Sequence, residues 1–168
     1  MLFSVLGARY ALRRHLQQII TATYKQGGAT ARLEPAEMLG PVDIWMFPKH
    51  PGKTVIVPPG RALLPAIQTF VQLHRAALCE QDAWLGTWVS PITGYWHIDI
   101  TMGCCDFNQA QQQAFAYSVR DGRAIVALYN MRQRRTVYLR HPENLSISIT
   151  TKEEPTRQLD ESALLHTP

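Results

Sequence analysis

Long apolar runs are missing from this 168-residue chain. No stretch approaches the roughly 20 apolar residues needed to span a bilayer. Cysteine is scarce: there are three, and two of them, Cys104 and Cys105, are adjacent. Neighbouring cysteines rarely bond to one another and Cys79 is distant in sequence, which excludes a disulfide framework and fits a reducing compartment. With 10 Gly and 11 Pro the chain is not collagen-like or fibrous, and its 46% hydrophobic content lies far above that of disordered proteins. It is too short for most two-domain enzymes. A secretory leader is not expected either. The apolar start of MLFSVLGARYALRR ends after six residues at Gly7, and the positive charge (Arg9, Arg13, Arg14) follows the apolar run instead of preceding it. The expectation is a cytoplasmic protein with no membrane partner.

What the chain does have is an uneven charge distribution. The net charge is +4, but the segment after His141 carries Glu143, Glu153, Glu154, Asp160 and Glu161 against Lys152 and Arg157, a net of −3 that leaves +7 for the rest. Between Arg120 and Arg140 there are six Arg and one acid, Asp121. The expected organisation is a single globular domain over residues 1–142 and an acidic, flexible tail over residues 143–168. A basic body with an acidic tail fits a phosphate-binding face that the tail partly screens. It also fits a solvated surface with a loose terminus.

Hydrophobic periodicity divides the chain into elements. Tyr10, Leu12, Leu16, Ile19, Ile20 and Tyr24 fall at helical spacing within residues 8–25, and Gly27-Gly28 stops that helix. Residues 29–41, with Pro35, Gly40 and Pro41, read as a connector. VDIWMF (42–47) and KTVIVP (53–58), joined by a Pro/Gly loop, are expected to pair as a hairpin. A second helix runs over residues 64–81, beginning near Leu64 so that Pro65 lies in its first turn. The next pair of strands is the clearest hairpin. Pro91 and Gly94 supply the turn, and Trp96, Ile98 and Ile100 alternate with His97, Asp99 and Thr101. Asp106 or Asn108 caps a helix that Asp121-Gly122 breaks. AIVALYN (124–130) reads as a central strand buried on both faces, and the basic turn MRQRR leads to a partner strand at 136–141. SISITT adds at most a weak edge strand. The fold class is α+β: one layer of mostly antiparallel sheet, about six strands, with two or three helices packed on one face.

Residues Gly86 to Asn130 carry a Trp before a Pro-x-Thr-Gly turn (Trp88, Pro91, Thr93, Gly94), an aromatic strand ending in Asp99-Ile100, an Ala-rich helix from Ala110 to Ala116, and an Ala124-Ile125 strand. The arrangement resembles small uncharacterised proteins of actinobacteria, bacteriophages and plasmids. It covers about a quarter of the chain. That group has no established chemistry to transfer, so the resemblance implies only a mobile-element or accessory-gene context.

Several features bear on chemistry. Gly52-Lys53-Thr54 looks like the end of a phosphate loop, but Phe47 stands where the loop needs Gly and a strand follows instead of a helix. A hairpin turn accounts for it. Cys104 and Cys105 precede a helix whose dipole would favour a thiolate, and His97 with Asp99 offers a base and its orienter. The plainer role for such cysteines is as small core residues. The three Cys and six His contain no Cys-x-x-Cys and no His-x-x-x-His, so neither a metal nor a cofactor is expected. Trp84, Trp88, Tyr95 and Trp96 mostly belong in a core, yet strand alternation forces some outward, with Tyr95 or Trp88 beside His97. The arginines are the most specific feature, because a guanidinium fork suits phosphate or carboxylate.

The balance favours a non-enzymatic binding module. It would hold an acidic partner, a protein or a nucleic-acid backbone, through Arg120, Arg123, Arg132, Arg134, Arg135 and Arg140 together with Tyr95 and Trp88. The alternative is a small cysteine-dependent hydrolase or transferase using Cys104 or Cys105, with His97 as base and Asp99 orienting it. A homodimer joined by sheet edges is compatible with either.

Overall fold

A computed structural model describes residues 2–139, with side chains from Gly7 onward. Arg140 and the acidic segment 143–168 with its SISITT run lie outside the described residues, as does the end of the 1–142 domain. The chain begins with helix α1 (Leu2–Gln26), followed by strands β1 (Gly28–Arg32), β2 (Glu37–Met38) and β3 (Trp45–Pro48). A short 3-10 turn (Pro51–Lys53) leads to β4 (Val55–Val57). Then come α2 (Leu63–Leu73), α3 (Arg75–Leu78), the hairpin β5 (Trp84–Val89) and β6 (Trp96–Cys104), α4 (Phe107–Asp121), and the hairpin β7 (Ala127–Asn130) and β8 (Arg135–Tyr138). The strands form one antiparallel sheet in the order β2-β1-β5-β6-β3-β7-β8, and β4 also pairs with β6. The expected α+β layer is what the chain builds, with eight strands instead of six.

The nine-residue β6 organises the sheet. Its first half pairs with β4 (Val55 opposite Ile98) and its second half with β3 (Phe47 opposite Met102). The two apolar runs expected to pair with each other therefore lie end to end along one partner. The PKHPG loop is not a hairpin turn but an insertion that leaves the ladder at Lys49, whose N–H still donates to the Ile100 carbonyl at 2.7 Å, and rejoins it at Thr54. Two further corrections concern strand placement. The connector 29–41 contains β1 and β2, and β7 is not a central strand buried on both faces. Its residues alternate between buried and half-buried, beside β8 at the end of the strand order.

All the helices of the core pack against one face. Trp96, Ile98, Ile100 and Met102 alternate along β6 toward that side. The first three join Leu16 and Ile19 of α1 and Ile67, Phe70 and Val71 of α2. Met102 joins Trp45, Phe47, Ala110 and Ala114 around α4. The small Ala110 and Ala114 are fully buried and let α4 approach the strands closely. Capping fixes its ends: the Asp106 carboxylate accepts from the Gln109 N–H at 2.7 Å, and Gly122 takes the left-handed conformation (φ +63°) past its last turn. α1 is longer than its periodicity predicts, and residues 7–14 are exposed, with core burial beginning at His15. Among the described residues no helix is long and apolar enough to cross a membrane.

Candidate binding cleft on the open sheet face

The opposite face carries no packed helix of the described core, and cross-strand register lines its side chains up in rows. Trp88, His97 and Ile56 form one row across β5, β6 and β4, and Gly86, Asp99 and Thr54 extend the next. Strand alternation produces this directly: the residues that put Ile98 and Ile100 into the core must turn His97 and Asp99 outward. The Trp88 and His97 rings lie 5.1 Å apart at 52°.

Where that row meets the β5–β6 loop and the open end of the β7–β8 hairpin, there is a cleft of about 470 Å³. Trp88, Tyr95, His97, Ile56, Val126 and Tyr138 line it, with Ile92, Ser90 and Thr93 from the loop. Ile92 is 78% exposed and Tyr138 47%. Apolar side chains this open, gathered on one concave surface, are unusual for a face with no partner. The volume is within the range of small-ligand pockets. Its polar groups are the Ser90, Thr93, Tyr95 and Tyr138 hydroxyls, the Trp88 indole N–H and the His97 imidazole. The loop that closes one end is held by short-range bonds: the Gly94 N–H donates to the Ser90 carbonyl at 2.8 Å, and Gly94 has φ +68°. This fulfils the turn that Pro91 and Gly94 predict.

Next to the cleft, Asp99 and His97 have perturbed titration. Crowding by protein atoms pushes the Asp99 carboxyl up to about 6, although the Thr54 hydroxyl that donates to it and the nearby Arg123 guanidinium pull the other way. Burial, reinforced by Arg123, holds His97 below the usual imidazole range, so it is neutral at physiological pH. Arg123 itself donates to the Thr54 carbonyl at 2.6 Å. Among the described residues no group of three or more His, Cys, Asp or Glu could hold a metal ion.

The cysteines do not join this constellation. Cys104 is seven residues from His97 along β6 and of opposite parity, so about 23 Å of strand and the sheet itself separate them. The Cys104 thiol donates to the Gln109 side chain at 3.4 Å, and Cys105 is exposed beyond the strand's end. Of the thiol, imidazole and carboxyl that the enzymatic alternative requires, only the last two share a face of the sheet, and the carboxyl's hydrogen bond is to Thr54.

The arginines divide in the same way. Arg120 donates to Asp121 at 2.6 Å and to the Lys49 carbonyl at 2.7 Å, and lies over the Tyr117 ring at 4.5 Å. It belongs to a network that pins the 49–52 insertion to α4 and to the 80–82 segment. There Lys49 pairs with Glu80 and Asp82, and His50 with Glu80 at 3.2 Å. Arg123 is tied to Thr54. Arg132, Arg134 and Arg135 sit together in the β7–β8 turn, toward the Trp45 end of β3, whereas Arg120 sits toward its Pro48 end. That turn is braced from below. The fully buried Asn130 donates to Asp43 at 2.8 Å and accepts from the Gln133 N–H at 2.9 Å. Arg134 and Arg135 are exposed and hold no ion pair among the described residues. Arg134 also has φ +49°, the left-handed region that glycine occupies without strain.

Of the sequence-derived site residues, Trp88, Tyr95, His97 and Asp99 converge, and three arginines form a separate exposed group. Ile56, Thr54, Val126 and Tyr138 were not singled out. For Ile56 and Tyr138 the signal is strand alternation: each precedes or follows a core-packed valine, Val57 or Val137, and so points to the open face. Comparison with protein-family models, with curated proteins and with solved structures returned no match.

Proposed function

We propose that the protein is a non-enzymatic binding module that holds an acidic partner, with a flat or apolar group of that partner seated in the cleft and its anionic groups at the arginine turn. The observation that supports this reading is the pairing of the two features on one hairpin. Tyr138 and Val126 line the cleft at the open end of β7–β8, while Arg132, Arg134 and Arg135 occupy its closed end, about 10 Å of strand away. The left-handed Arg134 adds support. Retaining a charged side chain where glycine costs less is the mark of a position selected for its side chain. Arg120 and Arg123 have structural partners, so among the described residues the arginines offered to the acidic partner are Arg132, Arg134 and Arg135. The adjacent free cysteines support a reducing, cytoplasmic setting for this activity.

The test compares anions that differ only in carrying a ring, on the full chain in 50 mM NaCl. Tyrosine-containing polyglutamate is set against plain polyglutamate, and a mixed-sequence single-stranded oligonucleotide against its abasic counterpart. The expected result is binding at least about tenfold tighter for a ring-bearing anion, with Tyr138→Ala removing the difference. If no anion binds, or if rings make no difference for either polymer, the reading is wrong.

A further inference from the structure

Building on that binding reading, we infer that the acidic partner is a single-stranded nucleic acid, one of whose bases stacks on the Trp88, Tyr95 and Tyr138 rings of the cleft while a neighbouring phosphate meets the guanidinium group of Arg134. The argument begins with the shape of the demand. The surface offers rings at one place and free guanidinium groups a short, fixed distance away along the same hairpin. A nucleotide meets both demands in every repeat unit, because each flat base is joined to an anion. An acidic peptide meets them only where an aromatic residue happens to be correctly spaced from its carboxylates.

The chemistry of the walls agrees. The rings and aliphatic side chains can stack any base, and the hydroxyl oxygens of Ser90 and Thr93 already accept from the loop's own N–H groups, which leaves few groups to read a base edge. Such sites bind single strands with little sequence preference. A paired base in a duplex shows its edge but not its face, so the rings exclude double-stranded DNA from this mode. Arginine, which makes up all three exposed cations of the turn, presents the planar fork that matches phosphate oxygens. Outside the acidic segment the chain carries a charge of +7, which favours approach of a polyanion.

The experiment uses the full chain and fluorescein-labelled oligo-dT of twelve nucleotides, read by anisotropy and by quenching of tryptophan fluorescence between 50 and 200 mM NaCl. Three controls accompany it: an abasic twelve-mer, a duplex of equal length, and tyrosine-containing polyglutamate. The expected order of affinity is oligo-dT, then abasic strand and duplex, with the peptide weakest. Trp88→Ala and Tyr138→Ala, each checked for native circular dichroism, weaken oligo-dT about tenfold or more but leave the abasic strand unchanged. Arg134→Ala lowers the magnitude of the salt slope by about 0.7, the value for one phosphate contact on a single strand, and Arg135→Ala, on the other face of β8, leaves it unchanged. Peptide binding that depends on Tyr138 without oligo-dT binding would overturn the nucleic-acid assignment and leave the binding-module reading standing. Equal affinity for oligo-dT and the abasic strand would remove the base from the cleft and also overturn it. Failure of every anion to bind would sink both.

Discussion

The Thr54 hydroxyl donates to the carboxyl of Asp99, joining the point where the chain re-enters the sheet to the middle of its longest strand. Because the Thr54 carbonyl also accepts from Arg123, this one residue holds the β4 end of the cleft against β6 and the segment after α4.

The same relationship sets a pH dependence. Asp99 titrates near 6 in the folded protein against 3.8 ordinarily, so the folded state holds its proton more tightly than the unfolded state does. The burial cost is absent below about pH 3.8 and fully present above about pH 6, and its contribution to stability therefore falls as pH rises between them. Asp99→Asn keeps an acceptor for Thr54 and removes the charge. Relative to the native chain it should be more stable by about 3 kcal/mol at pH 7, a gain that fades to nothing below about pH 4. Urea unfolding of both proteins at a series of pH values measures it; a difference that stays constant from pH 4 to 7 contradicts the assignment.

Inside the core, Thr23 of α1 and Thr87 of β5 are both buried with their hydroxyl oxygens 2.6 Å apart. Two protons serve three contacts here, since Thr23 also reaches the Ile19 carbonyl at 2.7 Å and Thr87 the Ala29 carbonyl at 3.3 Å. Either hydroxyl retains a carbonyl acceptor if the other is lost. Thr23→Val and Thr87→Val should each cost about 1 kcal/mol, and the double variant should cost less than their sum by about 1 kcal/mol. Full additivity in a double-mutant cycle would mean the two hydroxyls do not interact.

The parts of this architecture that were legible in the sequence are those where one physical rule dominates. Trp96, Ile98 and Ile100 alternate with polar residues and make β6 readable, and Asp106 with Gly122 marks both ends of α4. Strand β1 was illegible because Ala29 and Ala31 are poor strand formers by composition. They are small because Leu16 and Ile19 of α1 pack into the same core cluster over them, a requirement visible only once the helix is in place. The runs around Phe47 and Ile56 gave strands but not their partner, since nothing local distinguishes a hairpin from two segments sharing β6. Trp88 and Tyr95 of the cleft could be found from one hairpin. Ile56 and Tyr138 could not, because they reach it from segments distant in sequence. Clustering of arginines along the chain was misleading for a related reason: the ends of α4 and of β7 are close in number but lie toward opposite ends of β3.

Thiol chemistry tests the separation of Cys104 and Cys105 from His97. About 23 Å of strand separates His97 from Cys104, and Cys105 lies farther along the chain beyond the strand's end, so the imidazole is out of reach of either sulfur. His97→Ala should leave the rate of iodoacetamide alkylation, and its dependence on pH from 6 to 9, unchanged. A slowed or shifted profile would restore the enzymatic alternative.

The arginines should separate by what their loss changes. Arg120 donates to the Lys49 carbonyl and to Asp121 and covers the Tyr117 ring, so Arg120→Ala should lower stability by about 1 kcal/mol after allowance for its partial exposure. Affinity for a single-stranded oligonucleotide should change less than twofold, because that guanidinium is engaged away from the hairpin turn. Arg134 presents the reverse case. Holding a residue with a Cβ at φ +49° costs about 1 kcal/mol that glycine does not incur, partly offset by glycine's greater freedom in the unfolded chain. Arg134→Gly should therefore leave the melting temperature unchanged or slightly raised while weakening the oligonucleotide and flattening its salt dependence. Melting curves and binding isotherms on the two variants decide the matter together. If Arg134→Gly destabilises the fold and binds normally, the turn is a structural feature and its charge has no ligand.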